Sequence, residues 1–366
     1  MDRAMTRVVH GAAPVLMFAL ILPLVAGAGA CQTRATAAAP GGYKIDKGPW
    51  TAAFDQLTLR DEARRKDLEI TVRYPRVTPD EGRVFPLVVF SHGAGGSRAA
   101  FADLTSHWAS HGYVVVLPTH ADSVELRRRQ GEDLSRLARD LDGLRRDVRP
   151  MDRLADVAFL LDSLGTIESR VAGLRTGTGQ GRIDRARIAM AGHSAGALTA
   201  QMAFGVKVRG VDGGLGLQPR AVGDPRIRAA IVISGQGTTN RMLTPDSWSD
   251  LDRPMLVITG SKDVAAIGNE TPASRREPFE RAKPGDKYLV FMEGATHSSY
   301  QAKGRALALD ASAPTDAQLR MIVGVTTAST MAFLDGYLKN DASARAYLAS
   351  DALVAFSGRQ AALSRK

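Results

Sequence analysis

The chain reads as an α/β protein built on one doubly wound, mostly parallel sheet, and three observations predict it. Six continuous apolar runs rich in Val, Ile and Leu recur along it, as strands buried on both faces require. Helical patterns separate these runs, which suits crossover connections between parallel strands. One run leads straight into Gly192-His193-Ser194-Ala195-Gly196, a sharp turn from strand to helix.

The elements follow in order. Residues 54–60 and 68–74 alternate apolar and polar side chains and predict an antiparallel hairpin exposed on one face. The buried strands are expected at 86–91, 113–118, 187–191, 229–234, 254–260 and 287–292, giving a sheet of eight strands. Helices are expected at 99–111, 150–164, 195–205 and 316–339, with a poorer one at 273–282. Residues 121–150 hold eight Arg against seven acidic residues, with Leu134, Leu137, Leu141, Leu144 and Val148 spaced by three and four, and predict an amphipathic helix with a salt-bridged outer face. The Gly-rich stretches 165–182 and 206–225 fit either surface loops or parts of a lid.

Composition sets the outer bounds. With 366 residues, 44% of them hydrophobic and only 6% aromatic, the chain can fill one continuous core, mainly with aliphatic side chains. The formal charge of +10 is not gathered into a basic stripe, so nucleic-acid binding is not expected. Arg3 and Arg7 followed by the apolar run 12–26 and Ala28-Gly29-Ala30 predict a signal peptide over residues 1–30 and export from the cell. Cys31 is the single cysteine of the chain, so no disulfide within it is expected. Ala-Gly-Ala-Cys resembles a bacterial lipobox, in which that cysteine is acylated and anchors the protein to a membrane; an ordinary secretory cleavage at the same site is the other reading. Gln32 after a lipidated cysteine points to the periplasmic face of an outer membrane. Residues 31–48, rich in Ala, Gly and Pro, are expected to be a flexible tether, and 49–366 one catalytic domain.

Chemistry gathers after the fifth strand. A strand-to-helix turn this tight holds Ser194 up at the head of a helix and admits only small neighbours, which Gly192 and Gly196 supply around His193. A serine in that position acts as a nucleophile when a histidine removes its proton, and on this architecture the chain order is nucleophile, acid, histidine. Six of the seven histidines precede Ser194, leaving His297 as the base. Asp263, after the strand at 254–260, is the expected acid, accepting the Nδ1 proton of His297. Backbone N–H groups of Ala195 and of Ala94, with Gly95 as the alternative, are expected to form an oxyanion hole. His107 and His111 lie four residues apart, but HWASH lacks the glutamate of a zinc-protease helix, so no metal site is expected. The GTGQG stretch 177–181 lacks the strand and helix of a nucleotide fingerprint, so no cofactor is expected either.

These motifs carry a resemblance. FSHGAGGSRAAFADLTSHWASHGYVVVLPTHADS, DVRPMDRLADVAFLLDSL, IAMAGHSAG and the GATH loop ending at His297 resemble the dienelactone hydrolase-related branch of the α/β hydrolases, most of all the bacterial relatives of platelet-activating factor acetylhydrolase. The likeness runs from Leu59 to Tyr300 and is shared with chlorophyllase-like and polyester-cleaving lipases. It implies the α/β-hydrolase fold and a serine carboxylic ester hydrolase acting through an acyl-enzyme, with a small-molecule or lipid ester as partner. It departs from dienelactone hydrolase itself, which has Cys where Ser194 stands. The expected substrates are short-acyl or lipid-like esters. An acyltransferase with the same triad and a silent binding lipoprotein on the same fold are the rival readings.

Overall fold

The computed structural model describes residues 41–135, 142–210, 218–265, 268–302 and 313–366, and the compact unit they belong to runs from Ala38 to Lys366. Its strands are β1 (Ala52–Asp61), β2 (Lys66–Pro75), β3 (Phe85–Ser91), β4 (Val114–Pro118), β5 (Ile183–His193), β6 (Lys207–Val208), β7 (Arg220–Ala221), β8 (Ile227–Ile233), β9 (Met255–Lys262), β10 (Lys287–Thr296) and β11 (Ala361–Arg365). Nine of them form one sheet in the order β1-β2-β4-β3-β5-β8-β9-β10-β11. From β4 through β10 every neighbour is parallel, whereas β1, β2 and β11 pair antiparallel at the margins. This is an α/β-hydrolase fold with a mostly parallel sheet. Strand β11 is one more than the sequence suggested, because five residues with mixed burial carry no continuous apolar signal.

The helices are α1 (Ala102–Ser110), α2 (Val124–Arg129), α3 (Asp142–Asp147), α4 (Pro150–Asp162), α5 (Leu164–Arg170), α6 (Ala195–Phe204), α7 (Glu277–Glu280), α8 (Asp316–Leu338), α9 (Ala342–Ala349) and α10 (Ala352–Phe356). Strand alternation sorts the core into two layers. Leu87 and Val89 face Val157, Leu160, Met202 and Phe204 of α4 and α6, whereas Val88 and Phe90 face Trp108, Ile322 and Met331 of α1 and α8. Burying each such large side chain contributes about 1.5–3 kcal/mol, so both layers are needed to hold a sheet this wide. The buried indole N–H groups are not wasted: Trp108 donates to Thr330 Oγ1 at 3.2 Å and Trp248 to Gln201 Oε1 at 2.8 Å.

Three stretches differ from expectation. The helix expected over 121–150 is broken: Ser123 caps α2 by accepting the Leu126 N–H, and Gly131 at φ 83° ends it. Leu137 and Leu141 lie outside the described residues. The stretch 165–182 is partly helical, as α5, and 206–225 contains the β6–β7 ladder, with 211–217 outside the described residues. The end of the expected tether is fastened. Tyr43 hydroxyl donates to Asp335 and Asp341 at 3.1 and 3.2 Å, and Lys44 pairs with the buried Asp335. His107 and His111 donate Nε2–H to the carbonyls of Lys44 and Asp46 at 2.7 and 2.9 Å, which gives that pair a structural task.

Candidate active site

Strand β5 delivers Ser194 to the C-terminal edge of the sheet, and the turn there explains the residues around it. Ser194 sits at φ 54° and ψ −122°, a backbone region that L-residues rarely occupy. A Cβ on Gly192 would lie 2.1 Å from the Gly196 carbonyl oxygen, and one on Gly196 would lie 2.0 Å from that of Ser91. Only glycine fits either place. The Ser194 N–H donates to Ile233 O at 3.1 Å, tying the turn to β8.

The loops after β9 and β10 bring two residues to it. His297 Nε2 is 2.9 Å from Ser194 Oγ, and His297 Nδ1 is 3.0 Å from Asp263 Oδ1. Asp263 is fully buried, and its carboxylate accepts further hydrogen bonds from Ser234 Oγ at 2.8 Å, Thr259 Oγ1 at 2.9 Å and Tyr300 hydroxyl at 2.6 Å. Burial by itself pushes that carboxyl up, but Arg275 at 2.9 Å, His297 and Tyr300 outweigh it and hold it well below the usual carboxylate range. The acid is therefore ionised at neutral pH. Ser234, at φ 52°, also lies 2.7 Å from His297 Nδ1. Arg275, buried, clasps the carbonyls of Asp263, Ser234 and Gly235 at 2.9, 2.7 and 3.1 Å and reaches within 3.1 Å of His297 Nδ1.

His193, the variable residue before the serine, has a task of its own. Its Nε2–H donates to His297 O at 2.7 Å, pinning the histidine loop to the nucleophile turn. Burial, aided by the neighbouring His297, holds the His193 ring down at about 3, so it is neutral.

The expected oxyanion donors border the same cleft. Ala94 and Ala195 line it, and neither backbone N–H has a partner among the described residues. Gly95, the alternative, is already engaged: its N–H donates to Asp122 Oδ2 at 3.0 Å. Of the two expected second donors, only the Ala94 N–H is left without a partner among the described residues.

The cleft is open and encloses about 630 Å³, the size range of small-molecule sites. Phe101, Val148, Pro150 and Leu198 line it with apolar surface, whereas the loops after β8, β9 and β10 contribute Gln236, Asn240, Glu270 and Gln301. Gln236 is buried with its Oε1 unpartnered.

The structure thus brings together Ser194, His297, Asp263, Ala94 and Ala195, while Cys31 lies outside the described residues. Sequence reading missed Ser234, Thr259, Arg275 and Tyr300. Of these, Tyr300 lies three residues after His297 and Thr259 four before Asp263, both beside residues the sequence singled out. Among the described residues no group of three His, Cys, Asp or Glu is placed to hold a metal ion.

Residues 71–131 match a family model described as platelet-activating factor acetylhydrolase, isoform II. That segment holds β4 and the Ala94 loop. No curated protein matches the chain.

Proposed function

We propose that this chain, whose residues 71–131 match the platelet-activating factor acetylhydrolase family model, is a serine esterase of that family of α/β hydrolases and hydrolyses carboxylic esters through an acyl-enzyme on Ser194. The observation that carries the proposal is the unbroken line from Ser194 Oγ to His297 Nε2 at 2.9 Å and from Nδ1 to the ionised Asp263 at 3.0 Å, beside two unpaired backbone donors.

The reaction follows from those contacts. His297 Nε2 takes the Ser194 proton as Oγ forms a bond to the ester carbonyl carbon, and the oxygen's developing charge meets Ala94 and Ala195 N–H. The tetrahedral adduct collapses, the bond to the alcohol oxygen breaks, and His297 returns the proton to that leaving group. Water then repeats the sequence: His297 takes its proton, the hydroxyl oxygen attacks the acyl carbon, and Ser194 leaves with the proton restored. Asp263 holds the His297 tautomer and stabilises the imidazolium throughout.

Short-acyl or lipid-like esters are the proposed substrates. The apolar wall suits an acyl chain, and the polar wall suits an oxygen-rich alcohol. Export is proposed from Arg3, Arg7 and the apolar run before Cys31, with lipidation of Cys31 placing the site beside a membrane.

The test is a p-nitrophenyl ester series from acetate to palmitate, measured on the wild type, Ser194→Ala and His297→Ala. Activity that falls steeply beyond butyrate and is lost in both variants supports a short-acyl esterase. A wild type inert on every ester and unlabelled by a fluorophosphonate rejects the catalytic reading.

A further inference from the structure

Behind the Ala94 loop lies a second array of serine, histidine and aspartate that the proposed reaction does not use. Ser91 Oγ is 2.8 Å from His120 Nε2, and His120 Nδ1 is 2.8 Å from Asp156 Oδ2. All three side chains are buried, and none lines the cleft at Ser194. The array leads instead to one peptide group.

The backbone N–H of His120 donates to His92 Nε2 at 3.0 Å, so the proton of the neutral His92 ring sits on Nδ1 and is donated to Gly93 O at 2.6 Å. Arg153 of α4 adds its fork. Its Nε and Nη2 grip the two Asp122 oxygens at 2.9 and 2.7 Å, Nη1 donates to His92 O at 2.7 Å, and Nη2 donates to Gly93 O at 3.2 Å. Gly96 N–H reaches the same Gly93 oxygen at 3.1 Å, and Asp122 holds the Gly95 N–H. Three N–H groups therefore fix the direction of the Gly93 carbonyl. In a trans peptide the C=O of one residue and the N–H of the next point oppositely, so a Gly93 carbonyl drawn toward Arg153 turns the Ala94 N–H away from it, to the cleft side. A glycine-rich loop has little of its own to prevent that peptide from turning over.

We propose that Arg153, acting with Asp122 and His92, is a positioning residue for the oxyanion donor, holding the Gly93–Ala94 peptide so that Ala94 N–H meets the charge formed on the ester. The role rests on the esterase reading of Ser194. It calls for arginine: the planar fork reaches four acceptors at once, and a lysine ammonium cannot.

The test compares wild type, Arg153→Lys and the double variant Arg153→Met with Asp122→Asn, which leaves no unpaired buried charge. The readouts are kcat and KM on p-nitrophenyl acetate and inhibition by a trifluoromethyl ketone, whose adduct with Ser194 carries an oxyanion. The expected result is a kcat lower by about 100-fold in the double variant, a smaller loss in the lysine variant, KM within about threefold, and ketone affinity falling in step with kcat. The lysine variant, which keeps a cation on Asp122, carries the test if the double variant does not fold. A folded variant with wild-type kcat and ketone affinity overturns the positioning role alone, as does a loss confined to KM. A wild type inert on the ester overturns the esterase reading and the positioning role with it.

Discussion

Ser194-His297-Asp263 and Ser91-His120-Asp156 have the same three residue types joined in the same order at nearly the same distances. Their surroundings differ. The first stands at a cleft beside two unpaired backbone donors, on a serine whose backbone is forced into an unusual conformation. The second is sealed in the core, and its aspartate is shared with Lys66 and Arg64 at 2.7 and 2.8 Å. A hydrogen-bonded serine, histidine and aspartate is thus not in itself a catalyst. Access and waiting donors for developing charge are what favour the Ser194 array as the proposed one.

Substitution at the two serines should separate the arrays most sharply. Ser194→Ala is expected to lower kcat by on the order of 10⁴-fold or more and abolish fluorophosphonate labelling, whereas Ser91→Ala keeps the label. Labelling that vanished with Ser91 instead would reverse the assignment. At the aspartates, Asp263→Asn is expected to lower kcat by roughly 10³–10⁴-fold through the wrong histidine tautomer. Asp156→Asn removes one partner from the partly exposed Lys66 and Arg64, which keep Asp152, and disturbs the buried hydrogen bond to His120; it should cost about 1–3 kcal/mol of stability in denaturant titration, with kcat changed far less.

The smallest effect is a pH dependence. Burial lowers the native proton affinity of His92, His120 and His193, the last to about 3, whereas in the unfolded chain each sits near 6.5. The unfolded state therefore binds more protons below that value. Stability is full above pH 6.5 and is lost as pH falls toward the native values. Asp263 and Asp122, also held low in the native state, add a further loss below about pH 4. Denaturation midpoints measured between pH 7.5 and 4 should fall accordingly, and less steeply in His193→Gln; an identical slope in that variant would show that His193 takes up no proton on unfolding.

Much of this was legible in the sequence, for definite reasons. The buried strands announce themselves because a strand covered on both faces is apolar at every position, and Ser194 because its turn demands Gly192 and Gly196. His297 follows from chain order, with no other histidine beyond the serine. What stayed hidden depends on contacts between distant segments. Ser234 and Arg275 meet at Asp263 from separate places in the chain, and Asp156 on α4 meets His120 only once α4 is packed; Thr259, four residues before Asp263, lay in a run that read only as buried strand. Tyr43 lay in an Ala- and Gly-rich stretch whose composition gave no hint of the buried Asp335 awaiting its hydroxyl.

The contact of Gly196 with the backbone of Ser91 has a wider consequence. With 2.0 Å between a would-be Cβ and the Ser91 carbonyl oxygen, the helix that carries the nucleophile and the strand that launches the Ala94 loop abut without slack. The spacing between Ser194 and the Ala94 loop is thus a matter of molecular thickness, set by two main chains in touch. Such a gauge cannot be tuned by exchanging side chains at the cleft. Diversification of substrate range would therefore act on the outer walls, at residues such as Gln236 and Leu198, while the reacting centre keeps one fixed dimension.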